Sequence, residues 1–126
     1  MQRRTAVLPA PEHPNPKAWG DRGLYAAWLG HSTVLLKIDG VTILTDPVFS
    51  LRAGIGLGPV TLGLTLGLKR LVAPALTVPE LPKIDLILLS HAHMDHFDLP
   101  SLRRLARRGT AVVTAAKTGD LLPADA

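Results

Sequence analysis

The sequence contains no cysteine among its 126 residues. This absence excludes disulfide bonds, thiolate zinc sites and cysteine nucleophiles, so any bound metal ion must be held by histidine and aspartate. A chain without cysteine also fits a reducing compartment.

The sequence also lacks a hydrophobic run that is long enough to cross a bilayer. Its longest uncharged stretch, Ala53 to Leu68, has 16 residues and includes five glycines, whereas a spanning helix needs roughly 20 apolar residues. Prolines interrupt the N-terminal segment, so it does not have the apolar core of a signal peptide. We therefore expect a protein without a transmembrane segment, located in the cytoplasm.

Positive charge exceeds negative charge by four, with 14 lysines and arginines against 10 acidic residues. Much of the excess lies in Arg103, Arg104, Arg107 and Arg108. We interpret this group as the solvated face of a helix, with attraction to an anionic substrate or to nucleic acid as the alternative. No aromatic residue is interleaved with these arginines, which makes nucleic acid an unlikely partner.

The composition is that of a globular domain, with 47% hydrophobic and 19% charged residues. We expect a proline-rich lead-in over residues 1–22 and one domain over residues 23–126. Residues 48–82 are punctuated by glycine and proline, and they predict a long connector with a short helix around Leu62–Leu71. The apolar stretch Ala53–Leu68 within it is interpreted as core or a lid, with a pocket wall for an acyl chain as the alternative.

Periodic patterns on either side of this connector predict an α/β fold. Residues 34–38 alternate in polarity, Asp39-Gly40 is typical of a hairpin turn, and residues 41–45 form the return strand. Residues 84–114 have the order strand, loop, helix, strand, which is a βαβ unit. Asp98 is the expected N-cap of that helix.

The strongest chemical signal is the run from His91 to His96, which reads His-Ala-His-Met-Asp-His. Three of the five histidines of the chain fall within these six positions, directly after an apolar strand. Zinc is commonly bound by imidazole nitrogen and carboxylate oxygen. His91 and His93 can turn to one side of an extended loop, while Asp95 and His96 follow where the chain bends. One loop can therefore serve two metal ions about 3.5–4 Å apart, an arrangement used for hydrolysis. A purely structural metal site is the alternative.

His-x-His-x-Asp-His after an apolar strand resembles the signature of the metallo-β-lactamase superfamily. Gly-His-Ser-Thr at 30–33 and Thr-Asp-Pro at 45–47 are similar to one branch of it. That branch contains N-acyl-phosphatidylethanolamine-hydrolysing phospholipase D and ascorbate-6-phosphate lactonase relatives. The resemblance covers roughly residues 24–122. It implies the N-terminal half of an αββα sandwich, so that residues 23–126 would be a partial domain whose C-terminal half is absent.

The resemblance also implies roles for individual residues. His91 and His93 would bind the first metal ion, and Asp95 and His96 would bind the second. Asp95 would in addition be the catalytic residue that handles protons once substrate is bound. Asp46 matches an acidic position that orders the metal-bearing loops through hydrogen bonds, although an Asp-Pro turn that simply ends a strand is the alternative.

Two further residues are left outside the predicted ligand set. His31 could face the substrate or the metal loop, or it could be a structural histidine in a turn. Asp85 is interpreted as a structural residue that fixes the end of a strand through hydrogen bonds.

The resemblance implies a metal-dependent hydrolase with two Zn²⁺ ions in the complete family site, or with manganese or iron instead. Its substrate would be a small-molecule or lipid-like phosphoester or lactone, so the activity would be that of a phosphodiesterase, a phospholipase D-like enzyme or a lactonase.

In the family, a second half supplies the remaining ligands. The alternative is therefore a truncated, non-catalytic metal-binding chain, or a subunit that needs a complementing half and self-associates through an uncovered apolar sheet face. RNA processing and di-iron oxidoreduction are further activities of this fold.

Overall fold

The computed structural model describes residues 6–56, 65–106 and 110–122. The described elements are, in chain order, strands β1 (Leu24–Gly30), β2 (Thr33–Ile38), β3 (Val41–Thr45), β4 (Arg52–Gly56), β5 (Thr65–Lys69) and β6 (Leu86–Leu89), helix α1 (Leu99–Ala106) and strand β7 (Ala111–Thr114). Single turns of 3-10 helix are found at Pro16–Ala18, Val78–Glu80 and Gly119–Leu121.

Five of the strands form one mixed sheet with the order β1-β2-β3-β6-β7. The first three are antiparallel neighbours, whereas β3, β6 and β7 run parallel. The predicted hairpin is confirmed, and Asp39 (φ 45°) and Gly40 (φ 89°) form its turn, as a two-residue connection between twisted strands requires. The predicted βαβ unit is confirmed as β6-α1-β7. Asp85 fixes the start of β6 as expected, since its carboxylate accepts a hydrogen bond of 2.9 Å from the Thr42 amide.

One face of this sheet packs into the core. Its central side chains are apolar and almost inaccessible to solvent, and they meet the buried face of α1 and the segment around residues 76–81. The main members of this core are Leu29, Leu35, Leu44, Leu76, Leu81, Ile87, Leu102 and Leu105. Arg103 and Arg104 lie on the exposed side of α1, as predicted, while Arg107, Arg108 and Gly109 lie outside the described residues.

The opposite face of the same sheet is apolar as well, but it is open to solvent. Its most exposed side chains are Leu24 (67%), Trp28 (66%), Val113 (55%), Val41 (49%) and Ile38 (42%). The strand registers place these residues on one face, because alternate side chains of a strand point to opposite sides of the sheet. A face of this composition is typical of an interaction surface.

The predicted helix around Leu62–Leu71 is wrong in the part that the structure describes. Thr65–Lys69 is a strand, and it pairs with Arg52–Gly56 as a separate antiparallel hairpin. Gly67 falls within the predicted helix, where glycine is about 1 kcal/mol less favourable than alanine. Residues 57–64 lie outside the described part of the chain, and the structure describes no side chain of Ala53–Leu68, so the interpretation of this stretch as core, lid or pocket wall remains a prediction.

The lead-in is attached to the domain rather than separate from it. Leu8 forms a parallel bridge with Val72, and Pro16 is buried at the start of a 3-10 turn. The proposed boundary between residues 22 and 23 remains a prediction. None of the helices in the described ranges has the length and apolar character needed to cross a membrane.

Glu80 links the lead-in to the 3-10 turn that it ends. Hydrogen bonds from the Thr77 hydroxyl and backbone N–H, and then from the His13 imidazole, lower the pKa of Glu80 from 4.5 to about 2. A folded-state pKa below the unfolded one means that the carboxylate contributes stability above about pH 4.5 and loses this contribution as the pH falls towards 2. Glu80→Gln is therefore expected to flatten the dependence of Tm on pH within this window. Glu12→Gln, at another exposed glutamate, is the matched control, and an unchanged slope in Glu80→Gln would contradict the assignment.

Candidate metal centre

The histidine-rich loop and two other segments meet at one edge of the main sheet. Residues 91–96 follow the C-terminal end of β6, and Asp46 follows the C-terminal end of β3, the parallel neighbour of β6. His31 lies in the turn between β1 and β2. Because β2 runs antiparallel to β3, with Val34 opposite Thr45, this turn reaches the same edge. The sheet topology therefore brings three sequence-distant segments together.

Four imidazole rings cluster at this edge. The ring centroids of His91 and His93 lie 4.6 Å apart, and those of His91 and His96 lie 4.1 Å apart. His31 joins the cluster from the β1–β2 turn, with its ring centroid 5.7 Å from that of His96. The three histidines of the predicted motif are thus close neighbours, and a fourth is added from the turn at residues 31–32.

Asp46 lies beneath this cluster and connects its members. The buried carboxylate accepts hydrogen bonds from His96 Nδ1 at 3.0 Å, from the Ser90 amide at 2.7 Å and from the Ser90 hydroxyl at 2.7 Å. Burial raises the pKa of this carboxyl group, but the Ser90 amide, His96 and the Ser90 hydroxyl outweigh that effect and hold the pKa below its usual value. Asp46 is therefore an ionised acceptor, and it directly follows the last residue of β3, as an Asp-Pro turn that ends a strand would.

These contacts determine which nitrogen of each imidazole carries the proton. An ionised carboxylate only accepts hydrogen bonds, so His96 donates to Asp46 through Nδ1–H. Ser90 uses its hydroxyl hydrogen for Asp46, and the 2.8 Å contact between Ser90 Oγ and His91 Nδ1 must then be donated by His91. Both rings consequently carry their proton on Nδ1. The Nε2 atoms of His91 and His96 are left with an available lone pair for a metal ion.

Asp95 offers a carboxylate beside these nitrogens. Its Oδ2 lies 3.6 Å from His96 Nε2 and 3.4 Å from His31 Nε2. Desolvation raises the pKa of Asp95, but its own backbone amide and the neighbouring His96 and His31 rings outweigh that effect and lower the pKa. The side chain is half-exposed and ionised at neutral pH. It can act as a metal ligand or as a proton acceptor.

Among the residues that the structure describes, one group of three places its ligand atoms within 4.8 Å of one another, and this group is His31, Asp95 and His96. Two members were predicted as metal ligands, whereas His31 was left outside the ligand set. His91 and His93 adjoin the group through ring contacts. The roles of all four predicted ligands remain proposals.

The exit of the metal loop is anchored by Asp98, which directly precedes α1 as the predicted N-cap residue. Its carboxylate accepts hydrogen bonds from the Ser50 hydroxyl at 2.8 Å and from the Ser101 hydroxyl. Its backbone carbonyl accepts the first helical hydrogen bond, from Leu102 at 3.0 Å. The loop is thus fastened to the helix and to the segment that leads into β4. The long-range contact with Ser50 thus anchors the point at which the loop joins α1.

An apolar cavity of about 900 Å³ opens beside His31. Trp28, Ala27 and Leu29 of β1 contribute to its wall, together with the 71–75 segment. Arg70 lines the same cavity, and its guanidinium donates to the Val48 carbonyl at 2.6 Å. The cavity therefore combines mainly apolar walls with the guanidinium of Arg70, the carboxylate of Glu12 and the imidazole of His31.

Sequence reasoning left the placement of His31 open, with the metal loop as one option, and it missed the connecting role of Ser90. The position of His31 after a strand was a usable signal, because turns at one edge of a sheet converge there. Ser90 carries no comparable signal, since a serine before a metal motif has many ordinary roles.

Comparison with known proteins identifies the family. Residues 41–126, which are more than half of the chain, match the model of the beta-lactamase superfamily domain. N-acyl-phosphatidylethanolamine-hydrolyzing phospholipase D 1 of Caenorhabditis elegans is 38% identical over 87 residues, which cover 68% of this chain and 22% of that protein. The mitochondrial N-acyl-phosphatidylethanolamine-hydrolyzing phospholipase D of Saccharomyces cerevisiae is 42% identical over 79 residues, covering 63% of this chain and 15% of the relative.

Two further similarities extend the comparison. A UPF0173 metal-dependent hydrolase of Hyperthermus butylicus is 30% identical over 89 residues, which cover 70% of this chain and 31% of that protein. The crystal structure of CmlA, a diiron beta-hydroxylase from Streptomyces venezuelae, superposes with a TM-score of 0.46 and 28% identity, covering 74% of this chain and 15% of that structure.

The chain spans less than a third of each of these relatives. The matched part contains the β3–β6–β7 core and the whole histidine-rich loop, and the curated relatives are named as hydrolases. The chain therefore belongs to the metallo-β-lactamase superfamily, in the branch that includes the N-acyl-phosphatidylethanolamine-hydrolysing phospholipases D.

Proposed function

We propose that this chain provides part of the binuclear metal centre of a metal-dependent hydrolase. His91 and His93 would hold one metal ion, and Asp95 and His96 would contribute to the second. The observation that carries this proposal is the Asp46–Ser90 network. It fixes His91 and His96 with Nδ1 protonated, so that their Nε2 atoms are available as ligands.

The donor set fits zinc. Imidazole nitrogen with carboxylate oxygen is the usual composition of hydrolytic zinc sites, and an ionised carboxylate behind a coordinating histidine orients the ring and increases its basicity. Manganese and iron accept the same ligands. Zinc remains our choice, with those two metals as the alternatives.

When bound, the metal ions would supply an activated water near neutral pH and would polarise the group that is attacked. The residues of the chain supply orientation and proton handling. Asp46 holds the two rings, and we propose Asp95 as the catalytic residue, because its ionised carboxylate lies among the ligand atoms and can accept a proton. The ends of β3 and β6 are rigid and hold these groups at fixed positions relative to one another.

The cavity beside His31 supports a lipid-like phosphoester as the substrate. Its apolar walls suit an acyl chain, and Arg70 adds a positive charge to the cavity that His31 also lines, which would favour an anionic phosphodiester. A neutral lactone would gain less from that charge. Phosphodiester hydrolysis of the phospholipase D type is therefore our preferred activity, with lactone hydrolysis second.

The matched segment is less than a third of the relatives, so we propose that full activity requires further sequence that supplies the remaining ligands. The open apolar face of the main sheet favours a complementing half or self-association of the chain through that surface. The isolated chain would then bind metal weakly and turn over little substrate. A non-catalytic, metal-binding subunit is the second candidate function.

Metal content and phosphodiester hydrolysis test this proposal together. In equilibrium dialysis against a buffer that contains zinc, the chain is expected to take up zinc and to hydrolyse bis-p-nitrophenyl phosphate only slowly. His91→Ala/His93→Ala should lower the zinc content, whereas His13→Ala, at an exposed histidine that pairs with Glu80, should not. A folded wild-type chain without zinc would contradict the metal centre. Two tightly held zinc ions with rapid turnover would contradict the need for a complement.

A further inference from the structure

His31 lies at the metal loop although 59 residues separate it from the first histidine of the motif. Its Nε2 atom is 3.4 Å from Asp95 Oδ2, and His96 Nε2 is 3.6 Å from the same oxygen. All three ligand atoms lie within 4.8 Å of one another. The β1–β2 turn thus contributes a histidine to a site whose other two members belong to the His91–His96 run.

The two distances to Asp95 are those expected of ligands around one ion. A direct N–H···O hydrogen bond joins atoms about 2.7–3.2 Å apart, so both contacts are too long for one. Zinc binds nitrogen and oxygen at about 2.0–2.2 Å, and the edge of such a tetrahedron is roughly 3.3–3.6 Å. The observed separations of 3.4 and 3.6 Å fall at or near that edge length.

The backbone around His31 directs the ring towards the loop. Gly30 and His31 both have positive φ, at 110° and 51°, which reverses the chain sharply between β1 and β2. The Trp28 indole N–H donates a 2.7 Å hydrogen bond to the His31 carbonyl and closes this turn. Arg70 packs against Gly30, where a Cβ atom would lie 2.8 Å from its guanidinium. The turn therefore has a fixed geometry, with little space for another backbone path.

His96 offers only one nitrogen to this group, because its Nδ1 is engaged by Asp46. The remaining nitrogen, Nε2, is the one that faces Asp95. This selection is what a metal-binding histidine requires, since the hydrogen bond at one nitrogen determines which tautomer presents the other. His96 and Asp95 each offer one ligand atom to this group, and His31 Nε2 is in position to offer a third from the same chain.

We propose that His31, Asp95 and His96 form a three-ligand metal site within this chain, with His31 as a direct ligand. The inference rests on the proposed metal-dependent function and extends it to a residue outside the His91–His96 run. Three protein ligands leave a fourth position open, as in catalytic zinc sites. Since His31 also lines the apolar cavity, the open position would lie next to the proposed substrate cavity.

Zinc titration of the ¹⁵N-labelled wild-type chain, followed through the histidine ring nitrogens, tests this directly. His31 Nε2 is expected to shift to a metal-bound value together with His96 Nε2. If His91, His93 and His96 respond while His31 stays unchanged, the inference is wrong but the proposed function survives. If no histidine responds, both are wrong.

A substitution gives a second, independent readout. Zinc affinity, measured by competition with a chromophoric chelator, is expected to fall about 100-fold or more in His31→Gln, because losing a direct ligand costs at least as much as losing a residue that orients one. His13→Gln is the matched control and should bind zinc as the wild type does. An affinity in His31→Gln within threefold of the wild-type value would overturn the proposal.

Discussion

Asp46→Asn is expected to reduce zinc affinity by about 10- to 100-fold while the chain stays folded. The amide keeps the shape of the carboxylate, and asparagine tolerates the positive φ of 36° at this position. One of its two terminal groups is a donor, however, and the site needs acceptors for the Ser90 amide, the Ser90 hydroxyl and His96. His96 would change tautomer to accept from the new amide, and its proton would then occupy the metal-facing nitrogen.

Asp21→Asn is the matched control for this experiment. Asp21 is largely exposed and pairs with Lys37 at 2.6 Å, with no contact to the histidine cluster among its hydrogen bonds and ion pairs in the described structure. Zinc affinity by chelator competition and far-UV circular dichroism would be measured for both variants. Wild-type affinity in a folded Asp46→Asn chain would show that Asp46 does not set the histidine tautomers.

Leu35→Ala is expected to destabilise the chain by about 2–5 kcal/mol, a large part of the roughly 5–15 kcal/mol that holds a domain of this kind together. Leu35 lies in the central part of the sheet, is fully buried and faces the core beneath α1. Its truncation would leave a cavity that rigid neighbours on β1 and β3 cannot close. Urea denaturation gives the free energy of unfolding.

Leu36→Ala, one residue further along the same strand, reports on the opposite face. Leu36 is only half-buried, so the same truncation is expected to cost less than about 1.5 kcal/mol in the chain on its own, since part of the side chain already contacts water. A loss as large as that of Leu35→Ala would indicate that a second copy covers the open apolar face in solution. Sedimentation at several protein concentrations would then show the association.

Local patterns were sufficient to predict the elements whose contacts are close in sequence. Asp39-Gly40 defined the hairpin because the turn chemistry is contained in two residues. The β6-α1-β7 unit was predictable because buried strands and an amphipathic helix have different periods. The β4–β5 hairpin was missed. Glycine takes the alternate positions where a strand would have polar side chains, so this part of the sequence resembles a loop.

The candidate site was only partly predictable for a related reason. The run from His91 to His96 concentrates metal-binding side chains in six positions, so its chemistry is visible in the sequence alone. The approach of His31 depends on the register between β2 and β3. The hydrogen bonding of Ser90 with Asp46 depends on the position of Asp46 after β3, beside the end of β6. Both are tertiary contacts across 44 or more residues, which no local pattern specifies.

The left-handed backbone at His31 affects which substitutions can stabilise this protein. A non-glycine residue at φ 51° costs of order 1 kcal/mol that glycine would not. Selection for thermal stability alone would therefore favour glycine at position 31, and the resulting chain would lose the imidazole that reaches Asp95. Stability and metal recognition are in opposition at this turn. If natural variants keep histidine at position 31, this would indicate selection for function.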